Sequence, residues 1–420
     1  MPPVMSSTPR VIIIGAGVAG LACARHLSKT GLACSLLEAS DAVGGRVRTD
    51  RVEGFQLDRG FQVFLTGYPE ARKMLDYAAL QLQPFYPGAM VRYAGGFHRI
   101  SDPFRRPQDC FSTMTSPIGS FSDKLKVLRL RRDALQRRLC GQAGGGERTM
   151  LEVLQTYGFS PAMQQRFFQP FLSGVFLDET LSTPCRLFEW VWAAFSRGDI
   201  ALPQQGMGAI ASQLAATLPT ESIRLNAAVS HLGGAAVVLA SGERLAADAL
   251  VLATDDATAA RLRGESRPAA PGRDAICLYF DAPAPPVRGP WLMLNGEGQG
   301  PVGTACVLSE VASGYAPSGR ALVSVSLSRQ PSHAGDDLQQ AVRRQLREWF
   351  GEEVSAWRHL RTDHIKRALP PIEGLTAPAS NASPRVRPGL YQCGDYCETG
   401  TLDGALLSGR KAAEALLADH

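Results

Sequence analysis

No stretch of this 420-residue chain approaches the roughly 20 uninterrupted apolar residues that a membrane-spanning helix requires, so any membrane contact must be peripheral. The opening MPPVMSSTPR has no long apolar run either and does not read as a secretory signal. Nine cysteines are scattered without paired metal-ligand spacing or a short disulfide framework, which predicts reduced thiols, no metal and a cytoplasmic setting. A strong charge excess is missing too. The net charge of +5 is too small to demand nucleic acid, although it favours an anionic cofactor or an anionic surface. With 45% apolar and 20% charged residues the composition is ordinary for a folded chain. The length predicts two intertwined domains, since one usually holds roughly 100–200 residues.

What is present begins with Val11, Ile12, Ile13 and Ile14, a β-branched run typical of a parallel strand buried on both faces. Gly15-Ala16-Gly17-Val18-Ala19-Gly20 follows at once, and then Leu21, Ala22, Ala24 and Leu27 keep helical spacing as far as Thr30-Gly31. A second strand, Ala33 to Leu37, ends at Glu38. In that order Gly15 permits a tight turn, Gly17 lets the backbone approach a pyrophosphate, and Gly20 lets the helix pack on the sheet. The helix N-terminus then faces the phosphates. Glu38 stands where an acid bonds the adenosine ribose, and its charge would repel a 2′-phosphate, which disfavours NADP.

The continuation Ala39-Ser40-Asp41-Ala42-Val43-Gly44-Gly45-Arg46 separates FAD from NAD. It resembles the E-A-x-x-x-x-G-G-R segment of the FAD-dependent superfamily of amine oxidases, carotenoid (phytoene) desaturases and protoporphyrinogen oxidases. The resemblance implies that Gly45 brings backbone close to the dinucleotide and that Arg46 reaches its phosphates. A guanidinium forks onto phosphate oxygens in any setting. Leu57-Asp58-Arg59-Gly60 resembles the family's L-D-x-G segment, which implies Gly60, Phe61 and Gln62 beside the flavin ring. Leu202-Pro203-Gln204-Gln205-Gly206-Met207 begins a helix running to Leu218, followed by a strand from Ile223 to Val229, and resembles the family's return to the cofactor. That implies backbone contact from Val229 to adenine.

The most specific signal is the ending, Cys393-Gly394-Asp395-Tyr396 through Leu402-Asp403-Gly404-Ala405 to Ser408-Gly409. It closely resembles the ending of plant-type carotene desaturases and hydroxysqualene dehydroxylases. The resemblance implies ribityl contact from Asp395 and a place for Leu402 at the cofactor, where the final helix begins. An N-cap role for Asp395 is the blander alternative. Cys393 and Cys397 read as packing residues, because the motif for covalent flavin attachment is missing. The fold implied is α/β, a Rossmann-like FAD-binding domain (1–85, 200–265, 366–420) with an inserted α+β substrate-binding domain (86–199, 266–365).

Arg166 to Leu177 is strongly aromatic and resembles the family's cavity lining, although such a run also reads as core. From 104 to 140 nine Lys and Arg interleave with apolar residues, which allows two readings: docking on an anionic membrane, or a solvated helix face with a core-packed reverse. Gly141 to Gly146 reads as a loop. No second dinucleotide motif appears, so a bound nicotinamide is not expected. Amine oxidases of the superfamily place an aromatic residue near Thr401 and a lysine near Ala275, and this chain has neither type there. The expected activity is therefore dehydrogenation or desaturation of an apolar substrate, isoprenoid or polycyclic, by hydride transfer to flavin. A flavin-dependent amine oxidase and a non-catalytic relative of the Rab escort and dissociation-inhibitor type are the alternatives. No catalytic base is legible. His98, His231, His359 and His364 read as surface or core residues, and Lys366 is the least improbable polar candidate.

Overall fold

The computed structural model describes residues 10–140, 147–234, 236–265, 271–328, 335–372 and 383–419; the loop read at Gly141 to Gly146 lies outside them. Strand Val11–Ile14 sits inside a six-stranded sheet, parallel to Cys34–Leu37 on one side and to Ala249–Leu252 on the other. Strand Leu390–Gln392 continues the sheet beside Ala249–Leu252, so both chain ends contribute to one layer. All four residues of Val11–Ile14 and of Ala249–Leu252 are buried, as a strand covered on both faces requires. Val11 and Ile13 face a core shared with helices Val18–Lys29 and Leu402–Ala418. Ile12 and Ile14 face the opposite way, against strands Val229–Leu232 and Ala236–Leu239 and helix Asp256–Leu262. The two helices approach closely because position 409 is glycine: a Cβ there would lie 2.2 Å from the Ala19 carbonyl oxygen.

A seven-stranded sheet runs in the order Arg358–Leu369, Arg273–Ala282, Ala321–Leu327, Val302–Val307, Leu292–Asn295, Gly88–Tyr93, Gly96–Ser101. Its pairings are antiparallel except for Leu292–Asn295 on Gly88–Tyr93. Helix Asp336–Phe350 covers one face, where Leu338, Val342, Leu346 and Trp349 recur at helical spacing and pack on Leu278, Phe280, Val323 and Val325. The opposite face, through Cys277, Tyr279 and Cys306, joins the main core with helices Gln169–Phe176 and Cys185–Arg197.

Two local readings shift. The helix read from Leu202 to Leu218 spans Gly208–Ala215, because Pro203 and Gly206, with φ +81°, hold a turn ahead of it. The strand read from Ile223 to Val229 is broken at Asn226, which has φ +53°.

The expectation of reduced thiols is overturned at one pair. Cys140 and Cys185, separated by 45 residues, form a disulfide with a Cα separation of 5.7 Å. Packing of helix Phe121–Leu135 on helix Cys185–Arg197 brings them together, a contact that spacing in the chain does not encode. The other seven cysteines are free, and the cysteine argument for a reducing compartment falls. Among the described residues no helix is long and apolar enough to cross a membrane, and no cluster of His, Cys, Asp and Glu could hold a metal ion.

Candidate cofactor site and substrate chamber

Gly15 turns the chain with φ +107°, and a Cβ there would lie 2.8 Å from the Ala253 carbonyl oxygen. Gly20 is tighter: its Cβ would lie 2.0 Å from the Gly15 carbonyl oxygen, so any side chain would lever the helix off the turn. Gly17 differs from both. Its backbone is extended at φ −72°, and a Cβ would meet no atom within 4 Å. The space it leaves open lies at the N-terminus of helix Val18–Lys29, where unpaired amides favour an anion.

Glu38 ties this turn to the second strand. Its carboxylate accepts the Ala16 amide at 2.8 Å, the Ser40 amide at 2.9 Å and the Ser40 hydroxyl at 2.7 Å. A carboxylate has about four lone-pair sites, so capacity remains for a ligand hydroxyl. The second glycine pair closes over the first, with the Gly44 amide donating to the Ala16 carbonyl at 2.9 Å.

The two chain ends meet at Arg46. Its Nη2 donates to Asp395 Oδ1 at 2.5 Å and its Nη1 to the Ala368 carbonyl at 2.9 Å. Asp395 is only 6% exposed, whereas the Arg46 side chain stays 38% open to the cavity, and the pair joins the opening and closing motifs there. Asp395 does not cap the final helix; Thr401 does, accepting the Gly404 amide at 3.1 Å. Gln62 donates to the carbonyls of Arg46 at 2.7 Å and Arg59 at 3.0 Å, which lays the L-D-x-G run against the G-G-R run. Gly60, with φ +79°, backs onto Ile365 of strand Arg358–Leu369, 3.2 Å from where its Cβ would be.

Gly15, Gly17, Glu38, Gly45, Arg46, Gly60, Phe61, Gln62, Val229, Asp395 and Leu402 all line one cavity of about 1860 Å³. Ala16 and Gly20 stand behind its wall, the first holding Glu38 and the second holding the turn. A single small ligand usually fills roughly 300–1000 Å³, so this volume has space for a dinucleotide and a second molecule. Away from the glycine turn the walls are Phe171, Phe176, Leu187, Val191 and Phe195, with the Phe171 and Phe195 ring centroids 5.5 Å apart. A π-helical turn, Gln164–Phe168, precedes helix Gln169–Phe176, and its wider spacing accommodates Pro170, which has no N–H to donate.

Sequence reading missed Asp58 as a structural centre. It is 2% exposed; Oδ1 accepts the Met207 amide at 3.0 Å and the Thr49 hydroxyl, and Oδ2 accepts the Tyr315 hydroxyl at 2.6 Å. The Asp58 carbonyl accepts from Tyr279 at 2.8 Å and from Arg361 at 3.2 Å. Burial pushes the Asp58 pKa up to about 6 against the opposing pull of its Thr49, Tyr315 and Met207 bonds. An acid inside the apolar run Phe55–Asp58 was the available signal, but its partners come from distant segments.

The polar candidates separate cleanly. Among the described residues no histidine lines the cavity. His364 pairs with Asp274 at 3.0 Å and His98 meets the Tyr93 carbonyl at 3.1 Å. Lys366 reaches the cavity rim, yet it shares the exposed side of its strand with Thr362 and His364, while Ile365 turns inward to Gly60. Thr401 and Ala275 both line the cavity.

A glycine turn after a buried strand, an acid on the next strand and a Gly-Asp turn closing on them define a dinucleotide-binding flavoprotein fold. The chain belongs to the family of flavin-containing amine oxidoreductases, whose model matches residues 18–417, and it is an FAD-dependent oxidoreductase. Among curated proteins it is similar to protoporphyrinogen oxidase 2, chloroplastic/mitochondrial, of Arabidopsis thaliana, 32% identical over 123 residues, 29% of this chain. That match spans 24% of the relative's length. Among solved structures it is similar to an oxidoreductase from Methanosarcina mazei, with TM-score 0.73, 18% identity, and coverage of 97% of this chain and 100% of that one. Putrescine oxidase bound to putrescine aligns with TM-score 0.69 and 17% identity over 98% of this chain and 99% of its own. These two likenesses show the fold, in agreement with the α/β architecture expected from the motifs.

Proposed function

We propose that this chain dehydrogenates or desaturates an apolar substrate, isoprenoid or polycyclic, at an FAD held between its two ends. The observation that carries the reading is one cavity running from the Gly15–Gly17 turn to the aromatic walls of Phe171, Phe176 and Phe195. Glu38 and Val229 would hold the adenosine end, Gly15, Ala16, Gly17, Gly20, Gly45 and Arg46 the pyrophosphate turn, and Asp395 the ribityl chain. Gly60, Phe61, Gln62 and Leu402 would border the ring. FAD supplies, when bound, the hydride-accepting chemistry. The protein contributes orientation and exclusion of water, and the free amides that open helix Leu402–Ala418 oppose negative charge beside them. The segments 1–85, 200–265 and 366–420 form the cofactor-binding unit in this reading, and 86–199 and 266–365 the substrate-binding unit.

Electrostatics favours the apolar substrate over an amine. Among the described residues every acid that lines the cavity is engaged within the protein. Glu38 holds Ala16 and Ser40, Asp255 caps Thr258, Asp274 holds His364 and the Arg367 amide, Glu297 accepts from Gly95, and Asp395 holds Arg46. Glu179 has a partner as well. A substrate ammonium would have to share a carboxylate that already serves the protein, with no uncommitted acid among the described residues of the cavity to receive it. Anaerobic mixing with isoprenoid and polycyclic candidates is expected to bleach the flavin absorbance, and a panel of amines assayed in air to give no peroxide; peroxide from amines in air without bleaching by apolar compounds would replace this reading with amine oxidation.

Asp395→Ala is expected to weaken flavin binding at least tenfold, about 1.4 kcal/mol, because a buried charged acceptor is lost and Arg46 loses its anchor. Titration of the flavin-free variant with FAD, followed by fluorescence quenching, measures it. Unchanged affinity would remove Asp395 from the site.

A further inference from the structure

Among the described residues eight large hydrophobic side chains are exposed, and six of them, Phe104, Phe111, Met114, Phe121, Leu125 and Leu135, fall in one short segment. Phe104 and Phe111 are 74% and 79% exposed, a poor arrangement for a merely solvated surface. Helix Phe121–Leu135 buries Leu130 and Ala134 inward, yet its outward stripe is Phe121, Leu125, Leu128, Arg132 and Leu135, spaced every three or four residues. A solvated face would carry polar residues along that stripe.

Charge concentrates on the same segment. Residues 104–140 hold nine Lys and Arg against three Asp, an excess greater than the whole chain's +5. All three acids are turned inward. Asp109 pairs with Arg106, Asp123 closes a capping box with Ser120, and Asp133 accepts the Tyr157 hydroxyl. Arg105 and Arg131 pair with Asp199 and Asp102 outside the segment, so the outward surface is apolar at its centre and draws its cationic rim from Arg129, Arg132, Arg137 and Arg138.

The patch also backs onto the cavity. Ile118, between helices Cys110–Thr115 and Phe121–Leu135, is fully buried against Tyr93, Phe167 and Phe171, and Tyr93 and Phe171 line the cavity. Arg166 lies over the Tyr93 ring at 3.8 Å and donates to the Pro117 carbonyl at 2.8 Å.

The geometry points to segment 104–138 as a docking surface for an anionic lipid bilayer, with the aromatic and aliphatic tips entering the acyl boundary and the cations meeting headgroups. An apolar substrate dissolved in that bilayer lies one layer of side chains from the cavity. This delivery step rests on the proposed function, whereas the docking does not.

Co-sedimentation of the flavin-loaded chain with vesicles tests it. Binding is expected to vesicles of phosphatidylcholine mixed with phosphatidylglycerol, to fall with added salt, and to be weak on phosphatidylcholine alone. The variant Phe104→Ser/Phe111→Ser/Phe121→Ser should bind more than tenfold more weakly. Arg132→Gln and Arg138→Gln should each lose about fivefold, equivalent to about 1 kcal/mol per cation. Flavin content should stay unchanged in all of them, since these side chains are exposed. Absence of binding to the anionic vesicles, or equal binding to both vesicle types unaffected by the arginine variants, would overturn the proposal. So would a parent dimer that the serine variant converts to monomer, which assigns the patch to a second copy, or capture of an acidic protein without vesicle binding. Sedimentation needs no substrate, so docking and dehydrogenation can fail independently.

Discussion

Gly20→Ala is expected to destabilise the chain by about 4 kcal/mol or more and to abolish flavin binding, while Gly17→Ala leaves stability nearly unchanged and weakens flavin binding alone. The two glycines are three residues apart in one motif, but they meet different surroundings. A methyl group on Gly20 would sit 2.0 Å from the backbone oxygen of Gly15, where no rotamer can relieve the clash. The helix must shift, and with whole domains stable by only about 5–15 kcal/mol, much of the native margin goes with it. A methyl group on Gly17 touches nothing within 4 Å and suits its extended backbone. It would fill the space where a pyrophosphate must approach, so FAD affinity should fall at least tenfold, about 1.4 kcal/mol. Denaturant unfolding of the flavin-free forms, with FAD titration of each, separates the effects, because bound flavin would itself stabilise the fold. Parent-like affinity in Gly17→Ala would show that the dinucleotide does not cross this turn.

Asp58→Ala is expected to cost on the order of 3 kcal/mol at pH 5, since the Met207 amide and the Thr49 and Tyr315 hydroxyls would lose their buried acceptor. Asp58→Asn keeps an acceptor for Met207 and Thr49, and the Tyr315 hydroxyl can rotate to accept instead. Its pH dependence is the sharper test. Burial raises the Asp58 pKa to about 6 from an ordinary 3.8, so the folded chain binds this proton more tightly than the unfolded one. The group's contribution to stability is then complete below about pH 4 and is lost as pH rises through about 6. Asp403, raised to about 6 by burial, contributes in the same direction. Urea unfolding of the parent and Asp58→Asn at pH 4 and pH 7 isolates Asp58. The asparagine variant should gain on the parent by up to about 3 kcal/mol across that interval. A difference that stays constant with pH would mean that Asp58 is not the strained carboxylate its surroundings imply.

The order strand, glycine turn, helix, strand, acid was legible in Val11 to Glu38 because each part is a local demand on the backbone. A doubly covered strand needs continuous apolar residues, a tight turn needs φ near Gly15's +107°, and close packing at Gly20 tolerates no side chain. The Gly394-Asp395 turn was legible through the resemblance of the chain's ending, since Gly394 itself is extended at φ +162°. The helical spacing of Leu338, Val342, Leu346 and Trp349 marks helix Asp336–Phe350 by amphipathic period alone.

Contacts between distant segments were not encoded in that way. The Arg46–Asp395 pair joins residues 349 positions apart, and the disulfide joins Cys140 to Cys185 only because two helices pack side by side. The donors around Asp58 arrive from positions 49, 207 and 315, and the inward turn of Ile365 sets Lys366 on the exposed side of its strand. Helix Phe121–Leu135 shows the reason most plainly. Its residues specify a helix with apolar groups on two sides, and the sequence by itself determined that much. Which side is buried depends on the neighbours that arrive to cover it, so only the tertiary structure decided that the Phe121 stripe faces outward.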